Sequence, residues 1–266
     1  HLCDRRQRQM CIRDRFMRFL FHVDKIHHDN TGMIPQPQLA CYFRSRFAVH
    51  GKHHVFLAVS FFFASFSGIY SCSSVEAVNT ANNHSHDYGE QSFQDTMDAL
   101  DAEGIVHFGY DETAVMDVKG VKVGLIGIYE LNDHLERKQQ LEDNINKVKD
   151  EGAELVIVIF HWGNEKETVP DSNQTTLGRL AIDLGADLVC GHHPHVLQGV
   201  EEYKGKNIVY SLGNFCFGGN SSPSDMDTMI FQQTFTITND GVQDDNVTNI
   251  IPCSISSASD LSLIHI

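Results

Sequence analysis

Three histidines within four positions are the chemically richest feature of this chain. His192, His193 and His195 follow the apolar run Leu188-Val189-Cys190 and a glycine. Such a run is typical of the end of a buried strand, so the imidazoles would leave the sheet at its carboxyl edge. A loop so rich in neutral nitrogen ligands favours a transition-metal site. The alternative is a polar turn whose histidines hydrogen-bond only locally.

Two other polar clusters also come directly after predicted strands. His161 follows a β-branched run over residues 155–159, and Asn83 and His84 follow an apolar segment at 75–78. In an open parallel α/β sheet, the carboxyl ends of the strands form the ligand crevice. The three loops are therefore predicted to converge on one site.

Four side chains in these loops are candidate metal ligands. His161, His193 and His195 supply neutral nitrogen donors suited to zinc, manganese or iron, and Asn83 supplies an amide oxygen. Two divalent ions about 3.5–4 Å apart would polarise a phosphoryl or acyl oxygen and lower the pKa of a water between them. The carboxylate that normally bridges such a pair is not evident in the sequence.

Other polar residues of the same loops have candidate roles beside the ligands. His84 could donate a proton to a leaving oxygen. Asp87 and Glu165 could orient the imidazoles. Trp162, which follows His161, is as suited to packing beside the site as to stacking on a substrate.

The elements needed to place these loops follow from hydrophobic periodicity. Three helices are predicted: one over 90–102, one through Leu141, Ile145 and Val148, and one that Thr175 or Thr176 caps. Strands are predicted over 105–108, 115–118, 121–128, 155–160, 187–190, 207–212, 229–238 and 247–251. Strands that alternate with helices and end in antiparallel pairs indicate an α/β fold with a mixed sheet.

Composition limits the class of partner. The chain has 266 residues, of which 41% are apolar, and this suits one α/β domain. Its formal net charge of −15 argues against nucleic acid as a partner, because nucleic acid rewards a basic surface. Glu201 and Glu202 are expected to be solvated loop charges.

The two ends of the chain differ from its middle. Residues 1–15 and 261–266 resemble translated sequencing-adapter reads, and residues 16–73 lack clear periodicity. Within them, the apolar segment 55–70 has the character of a signal-peptide core or a short membrane anchor. We therefore expect an atypical segment at 1–73, either non-native or signal-like, a functional domain at 74–255 and a non-native tail at 256–266.

Four ordered motifs resemble those of one protein family. They are ANNHSHDYG at 81–89, HWGNE at 161–165, GHHPHVLQ at 191–198 and YSLGNF at 210–215. Their order and spacing are similar to those of the CapA family of capsule and poly-γ-glutamate synthesis, within the calcineurin-like metallophosphoesterases. The resemblance implies a four-layered α/β/β/α sandwich with mixed sheets and a dinuclear metal site.

The resemblance also implies roles for particular residues. Asn83, His161, His193 and His195 match the metal ligands. His84 matches the proton donor. Glu165 and Asn214 match typical family positions, and with Asp87 they are expected to contact substrate or support the ligands.

One part of the family pattern is missing. The family's first strand carries a Gly-Asp metal motif and a later segment carries an Asn-Leu-Glu-type motif, but residues 1–73 contain neither. Asp24 has neither the glycine nor the preceding strand. We therefore expect the N-terminal strands of the sheet to be missing, and metal binding to be weak or confined to one site.

These expectations lead to competing functions. The first is a metal-dependent hydrolase-type protein of capsule or poly-γ-glutamate synthesis, which uses divalent Mn, Fe or Zn. Its expected partners are an anionic polymer or its precursor and other synthesis proteins, at the extracytoplasmic, membrane-associated cell envelope. The second is a non-catalytic binding component of a polymer synthesis or export complex. The third is an inactive fragment.

Overall fold

Two stacked β-sheets form the centre of the molecule. The computed structural model describes residues 18–25, 55–60, 76–214, 224–238, 241–243, 247–255 and 263–265. Apolar side chains of both sheets share one buried cluster, to which Phe108 and Phe231 contribute from the first sheet and Leu125 and Ile157 from the second. The sheets therefore pack face to face.

The first sheet has eight strands. They are β1 (Arg18–Lys25), β2 (Val55–Ser60), β3 (Ala77–Asn79), β4 (Val106–Phe108), β11 (Asp227–Thr238), β12 (Gly241–Val242), β13 (Val247–Ile255) and β14 (Leu263–His265). Their spatial order is β14-β13-β11-β1-β2-β3-β4, and β12 pairs with β11. β3 and β4 run parallel.

The second sheet has six strands. They are β5 (Thr113–Val118), β6 (Val121–Tyr129), β7 (Leu155–His161), β8 (Leu188–His192), β9 (Val200–Tyr203) and β10 (Lys206–Val209), in the order β5-β6-β7-β8-β10-β9. The four central strands β6, β7, β8 and β10 are parallel, and β5 and β9 are antiparallel edges. The central strands therefore all direct their carboxyl ends to the same edge.

Helices cover the outer faces of both sheets. Helix α1 (Glu90–Ala102) packs on the first sheet, and helices α2 (Lys138–Asp150) and α3 (Ser172–Asp183) pack on the second. A 3-10 turn, His134–Arg137, leads into α2. The layers are therefore α/β/β/α, and this confirms the fold class that the sequence predicts.

Strand β7 shows why its residues form a central strand. All seven positions of Leu155–His161 are buried, which requires apolar side chains on both faces. Leu155, Ile157 and Ile159 pack between the two sheets. Val156, Val158 and Phe160 pack against the helices on the other face. The near-continuous apolar run is thus two interleaved faces with a period of two residues.

The structure differs from the sequence prediction in the first sheet. The sequence predicts that the N-terminal strands are missing, whereas β1 and β2 lie between β11 and β3. β1 pairs in parallel with β11, and β2 pairs with β3 at Val59 and Ala77. Strands β1 and β2 can occupy these two places in the sheet through backbone pairing alone, even though the family's acidic motif is absent.

The sequence also predicts a signal-peptide core or membrane anchor in the apolar segment 55–70. Of this segment, the strand Val55–Ser60 is described and the remainder lies outside the described residues. No described helix has both the length and the apolar character that crossing a membrane requires.

Two local predictions were wrong. Helix α3 begins at Ser172 and is capped by Asp171, so Thr175 and Thr176 lie inside the helix, where their hydroxyls donate to backbone carbonyls. Glu201 is not a solvated loop charge. It lies in the edge strand β9, accepts a 2.5 Å hydrogen bond from the Tyr210 hydroxyl and pairs with Arg179 at 2.8 Å.

Replacement of the cap residue should have a measurable cost. The Asp171 carboxylate accepts hydrogen bonds from the backbone N–H groups of Asn173 and Gln174, and the Gln174 side chain accepts one from Asp171 N. Asp171→Ala is expected to lower the free energy of unfolding by about 1 kcal/mol, because two helix N–H groups lose their acceptor. Thr175→Ala is the control, expected to cost less. Urea denaturation of the three proteins measures the difference, and equal costs would contradict the assignment of the cap.

A glycine at the end of β8 is expected to be essential for packing. A Cβ built on Gly191 would clash with both the indole nitrogen of Trp162 and the carbonyl oxygen of Tyr210. Gly191→Ala is expected to lower the free energy of unfolding by about 1–3 kcal/mol, as overpacking does. Gly199→Ala is the matched control, because nothing lies within 4 Å of its added Cβ. Thermal unfolding compares the two, and equal melting temperatures would contradict the packing described.

Candidate metal centre

The register of the second sheet aligns three site residues. Tyr129 at the end of β6 pairs with His161 at the end of β7, and His161 pairs with His192 at the end of β8. Because the three strands are parallel and end at one level, the residues form a row at the carboxyl edge. This edge is where open α/β sheets bind ligands.

The loop that follows β3 brings Asn83 to this row from the other sheet. The Asn83 Oδ1 atom lies 3.0 Å from the Nε2 atom of His161. Two ligand atoms that bind one octahedral ion at about 2.1 Å and at right angles to each other also lie about 3 Å apart. The Asn83–His161 pair therefore has the spacing of two ligands of one cation.

The same loop carries His84 and Asp87 at the surface. The Nδ1 atom of His84 lies 3.0 Å from Asp87 Oδ2, and the backbone N–H of His84 donates to Asn82 Oδ1 at 2.9 Å. The Asp87 carboxylate can therefore orient the His84 ring through its Nδ1 atom, so that the Nε2 atom points away from Asp87. The side chain of His84 is 47% exposed, so it is accessible to a substrate.

Tyr110 anchors this loop by hydrogen bonds, a role that the sequence pattern around Tyr110 did not indicate. Its hydroxyl donates to the carbonyl oxygen of Asn82 at 2.7 Å and lies 3.3 Å from Asn82 N, which donates to it. Its own carbonyl oxygen accepts from Gln140 on α2 at 2.9 Å. Tyr110 therefore connects the helix layer of the second sheet to the residue before Asn83.

A second group of candidate ligands lies beside the first. Ligand atoms of Glu165, His193 and His195 all lie within 4.8 Å of one another, and in the described part of the chain this is the single group of three or more His, Cys, Asp or Glu side chains with that property. The rings of His161 and His193 are 4.7 Å apart, centroid to centroid. The two groups are therefore adjacent.

Asn214 supports His195 in this group. Its Oδ1 atom lies 2.6 Å from His195 Nδ1, and its Nδ2 donates to the His195 carbonyl at 3.0 Å. His193 and His195 both have positive φ, 104° and 60°, which is unfavourable for residues with a Cβ. Such strain is typical of functional sites, where the direction of a side chain takes precedence over backbone geometry.

The burial of His193 also favours a divalent cation at the second group, and this observation does not depend on the family resemblance. Among the described residues, the buried Nδ1 atom of His193 has no hydrogen-bond partner. A buried polar atom without a partner is costly, and an ion would satisfy it. Burial, aided by the nearby His195, lowers the pKa of His193 to about 4, so its ring is neutral near pH 7 and its lone pair is available.

The structure adds three polar residues to which the sequence analysis gave no role at this site. Asn79 and His192 are buried beside His161, and Glu130, 1% exposed, follows the Tyr129 end of β6. The Glu130 carboxylate accepts from Gly163 N at 3.4 Å and lies 2.7 Å from His134 Nδ1, and this contact raises the pKa of His134. Asn79, His192 and Glu130 share one feature that the sequence could have shown, since each lies at or directly after the carboxyl end of a strand.

Trp162 packs beneath the site. It is fully buried, stacks on Phe160 at 4.3 Å between ring centroids and donates from Nε1 to the Tyr210 carbonyl at 2.8 Å. Of the two roles that its sequence position allowed, the structure supports packing.

Comparison with known proteins assigns the family. A profile of the family described as bacterial capsule synthesis protein PGA_cap matches residues 71–219. The capsule biosynthesis protein CapA of Bacillus anthracis is 36% identical over 162 residues, which cover 53% of this chain and 39% of that protein. The PGA biosynthesis protein CapA of Bacillus subtilis is 33% identical over 159 residues, which cover 53% of this chain and 42% of that protein.

Two more distant matches were found. A probable polyglutamine synthesis accessory protein of Mycobacterium tuberculosis is 28% identical over 163 residues, 50% of this chain and 43% of that protein. A hypothetical protein of Thermus thermophilus with a solved structure has 14% identity and a TM-score of 0.47, over 67% of this chain and 76% of that chain.

The matched region spans about two fifths of the length of the two CapA relatives. The family profile matches more than half of this chain, and the chain belongs to the bacterial capsule synthesis protein family.

Proposed function

We propose that this chain is a metal-dependent hydrolase-type component of capsule or poly-γ-glutamate synthesis. The observation that carries the proposal is the His84–Asp87 pair, which lies one residue beyond Asn83 in a loop that reaches the ligand cluster. A purely structural metal site has no need of an exposed, oriented imidazole beside its ligands. A proton donor so placed favours catalysis.

The residues have distinct roles in this proposal. Asn83, His161, His193 and His195 hold divalent cations, and Glu165 adds a carboxylate oxygen to the cluster. Bound ions supply charge that polarises a phosphoryl or acyl oxygen and lowers the pKa of a water. Asn214 orients His195.

In this proposal, the loop after β3 supplies the proton donor for the leaving oxygen. Asp87 accepts from His84 Nδ1, so the Nε2 atom of His84 is the atom that delivers a proton to the leaving oxygen. Tyr110 fixes the backbone two residues earlier, which keeps His84 at a constant distance from the ligands.

The family assignment supports a proposal for partners and location. The relatives are named as capsule biosynthesis and PGA biosynthesis proteins, and we propose that this chain acts at the cell envelope on an anionic polymer or its precursor. The net charge of −15 opposes binding of a polyanion in the absence of metal. Divalent cations at the site would provide the local positive charge that such a substrate requires.

Metal-dependent hydrolysis tests this proposal. The purified chain is incubated with bis(p-nitrophenyl) phosphate, with Mn²⁺ and with a chelator. Release of nitrophenol that requires Mn²⁺ supports a hydrolase. Absence of release, together with metal-independent binding of poly-γ-glutamate, would instead support the alternative, a non-catalytic component of a synthesis or export complex.

Metal stoichiometry is a separate expected result. The described residues contain one clear three-ligand cluster, and the family's N-terminal acidic motif is absent. Calorimetric titration with Mn²⁺ is therefore expected to show one site with substantial affinity per chain. Two sites of equal and high affinity would contradict this expectation.

A further inference from the structure

Asn79 is a buried amide whose orientation is fixed by its neighbours. Asn79 is 1% exposed and lies at the carboxyl end of β3. A Cβ on Gly127 would clash with Asn79 Oδ1, and a Cβ on Gly109 would lie 2.8 Å from it, so these glycines make room for the amide. Ala81 N donates to Asn79 Oδ1 at 3.0 Å. Because a backbone N–H can only donate, the oxygen faces Ala81 and the Nδ2 amino group faces His192.

This orientation determines where the protons lie on two histidines. Asn79 Nδ2 is 3.3 Å from His192 Nε2, which must accept. A neutral imidazole carries one N–H, so His192 carries it on Nδ1 and donates to His161 Nδ1, 2.8 Å away. His161 then carries its own proton on Nε2 and donates to Asn83 Oδ1 at 3.0 Å. The hydrogen bonds run in one direction, from Asn79 through His192 and His161 to Asn83.

The direction of this chain opposes cation binding at the Asn83–His161 pair. His161 Nε2 is the nitrogen that faces Asn83, and a cation there needs its lone pair. His161 must then carry its proton on Nδ1, and His192 must accept it there and carry its own proton on Nε2. Each imidazole keeps one proton, so the exchange is neutral. It places the His192 N–H against the Asn79 amino group, which is also a donor.

We propose that Asn79 and His192 are positioning residues that set the tautomer of His161, and through it the affinity of the Asn83–His161 pair for a divalent cation. His192 fixes the direction of the His161 ring, and Asn79 biases which of its nitrogens carries the proton. The inference rests on the proposed function only in treating Asn83 and His161 as ligands, since the tautomer is a property of the metal-free chain.

Nuclear magnetic resonance of the metal-free chain tests the tautomer directly. Histidine labelled with ¹⁵N reports which ring nitrogen carries the proton, and His161→Gln and His192→Asn assign the signals. The expected result is a proton on Nε2 of His161 and on Nδ1 of His192, with a scalar coupling between the two Nδ1 nitrogens through the hydrogen bond. A proton on Nδ1 of His161 in the metal-free chain would overturn the proposal, whether or not the chain is a hydrolase.

Titration with Mn²⁺ tests the consequence for affinity. Asn79→Asp exchanges the donor for an acceptor of the same shape, and it is expected to tighten Mn²⁺ binding at the Asn83–His161 pair, the weaker of the two candidate sites, by about tenfold. His192→Leu is expected to weaken Mn²⁺ binding at this pair by about 10–100-fold, the usual range when the partner of a metal-binding histidine is lost. His192→Asn, whose amide can still accept from His161, is expected to recover part of this loss.

The opposite signs distinguish positioning from a merely structural role. If Asn79→Asp weakens Mn²⁺ binding as His192→Leu does, in variants whose circular dichroism matches that of the unaltered chain, the proposal is overturned. If a variant does not fold, the resonance measurement on the unaltered chain still decides. Tight, tautomer-dependent Mn²⁺ binding without hydrolysis would uphold this inference and contradict the proposed catalytic function, so the two can fail separately.

Discussion

The His193→Ala/His195→Ala double variant is expected to lose at least about 100-fold in Mn²⁺ affinity. Loss of a residue that only supports a metal ligand costs about 10–100-fold, and these two side chains are direct ligands in our account. With Glu165 they form the one three-ligand group in the described residues, and His193 Nδ1 has no other described partner. Calorimetry on chelator-treated protein measures the change.

A matched double variant provides the control for this result. His86 stacks on Phe93 and His107 pairs with Asp101 and Glu112, so neither contributes to the ligand cluster. His86→Ala/His107→Ala removes the same number of imidazoles and is expected to leave Mn²⁺ affinity within about twofold of the original value. Equal losses in the two double variants would mean that Mn²⁺ binds to histidines non-specifically.

The His84→Ala variant is expected to lower kcat by about 10²–10⁴-fold while Mn²⁺ binding is retained. Proton transfer by a positioned side chain contributes this range, and His84 is held by Asp87 at 3.0 Å. Because His84 is not one of the proposed ligands, the loss should appear in kcat and not in the metal content. Hydrolysis of bis(p-nitrophenyl) phosphate at saturating Mn²⁺ gives kcat, and elemental analysis gives the metal content.

A neighbouring histidine serves as control for this prediction. His86 lies two residues further in the same exposed loop and pairs with Glu90 at 3.2 Å. His86→Ala should retain kcat within about threefold, since its contacts are with Glu90, Phe93 and the Tyr110 ring, and none is with a proposed ligand. A similar fall in kcat for both variants would show that the loop as a whole matters and that His84 has no special role.

The fold was predictable because its central strands have unambiguous patterns. The run 155–160 is apolar at each position, as a strand buried on both faces requires, and Leu155–His161 is strand β7. Helix α2 was predicted from Leu141, Ile145 and Val148, which are all fully buried. Local pattern was less reliable at helix ends. Asp171 and Thr175 both have capping side chains, and backbone geometry selects between them.

The candidate site was predictable in its loops but not in its buried hydrogen bonds. The residues Asn83, His161, His193 and His195 follow strands in the sequence, and this placed them at one edge. The roles of Asn79 and His192 depend on a contact between two sheets, at 113 positions of separation, that no local pattern reports. Tyr110 is similar, since its contact with Asn82 spans 28 positions.

Anomalous X-ray scattering from crystals grown with Mn²⁺ tests directly whether the proposed metal centre binds a divalent cation. We expect a Mn²⁺ peak bounded by the side chains of Glu165, His193 and His195, with a nitrogen of each histidine about 2.0–2.3 Å from the ion. A well-ordered site with no peak at saturating Mn²⁺, or a peak only at exposed carboxylates elsewhere, would contradict it.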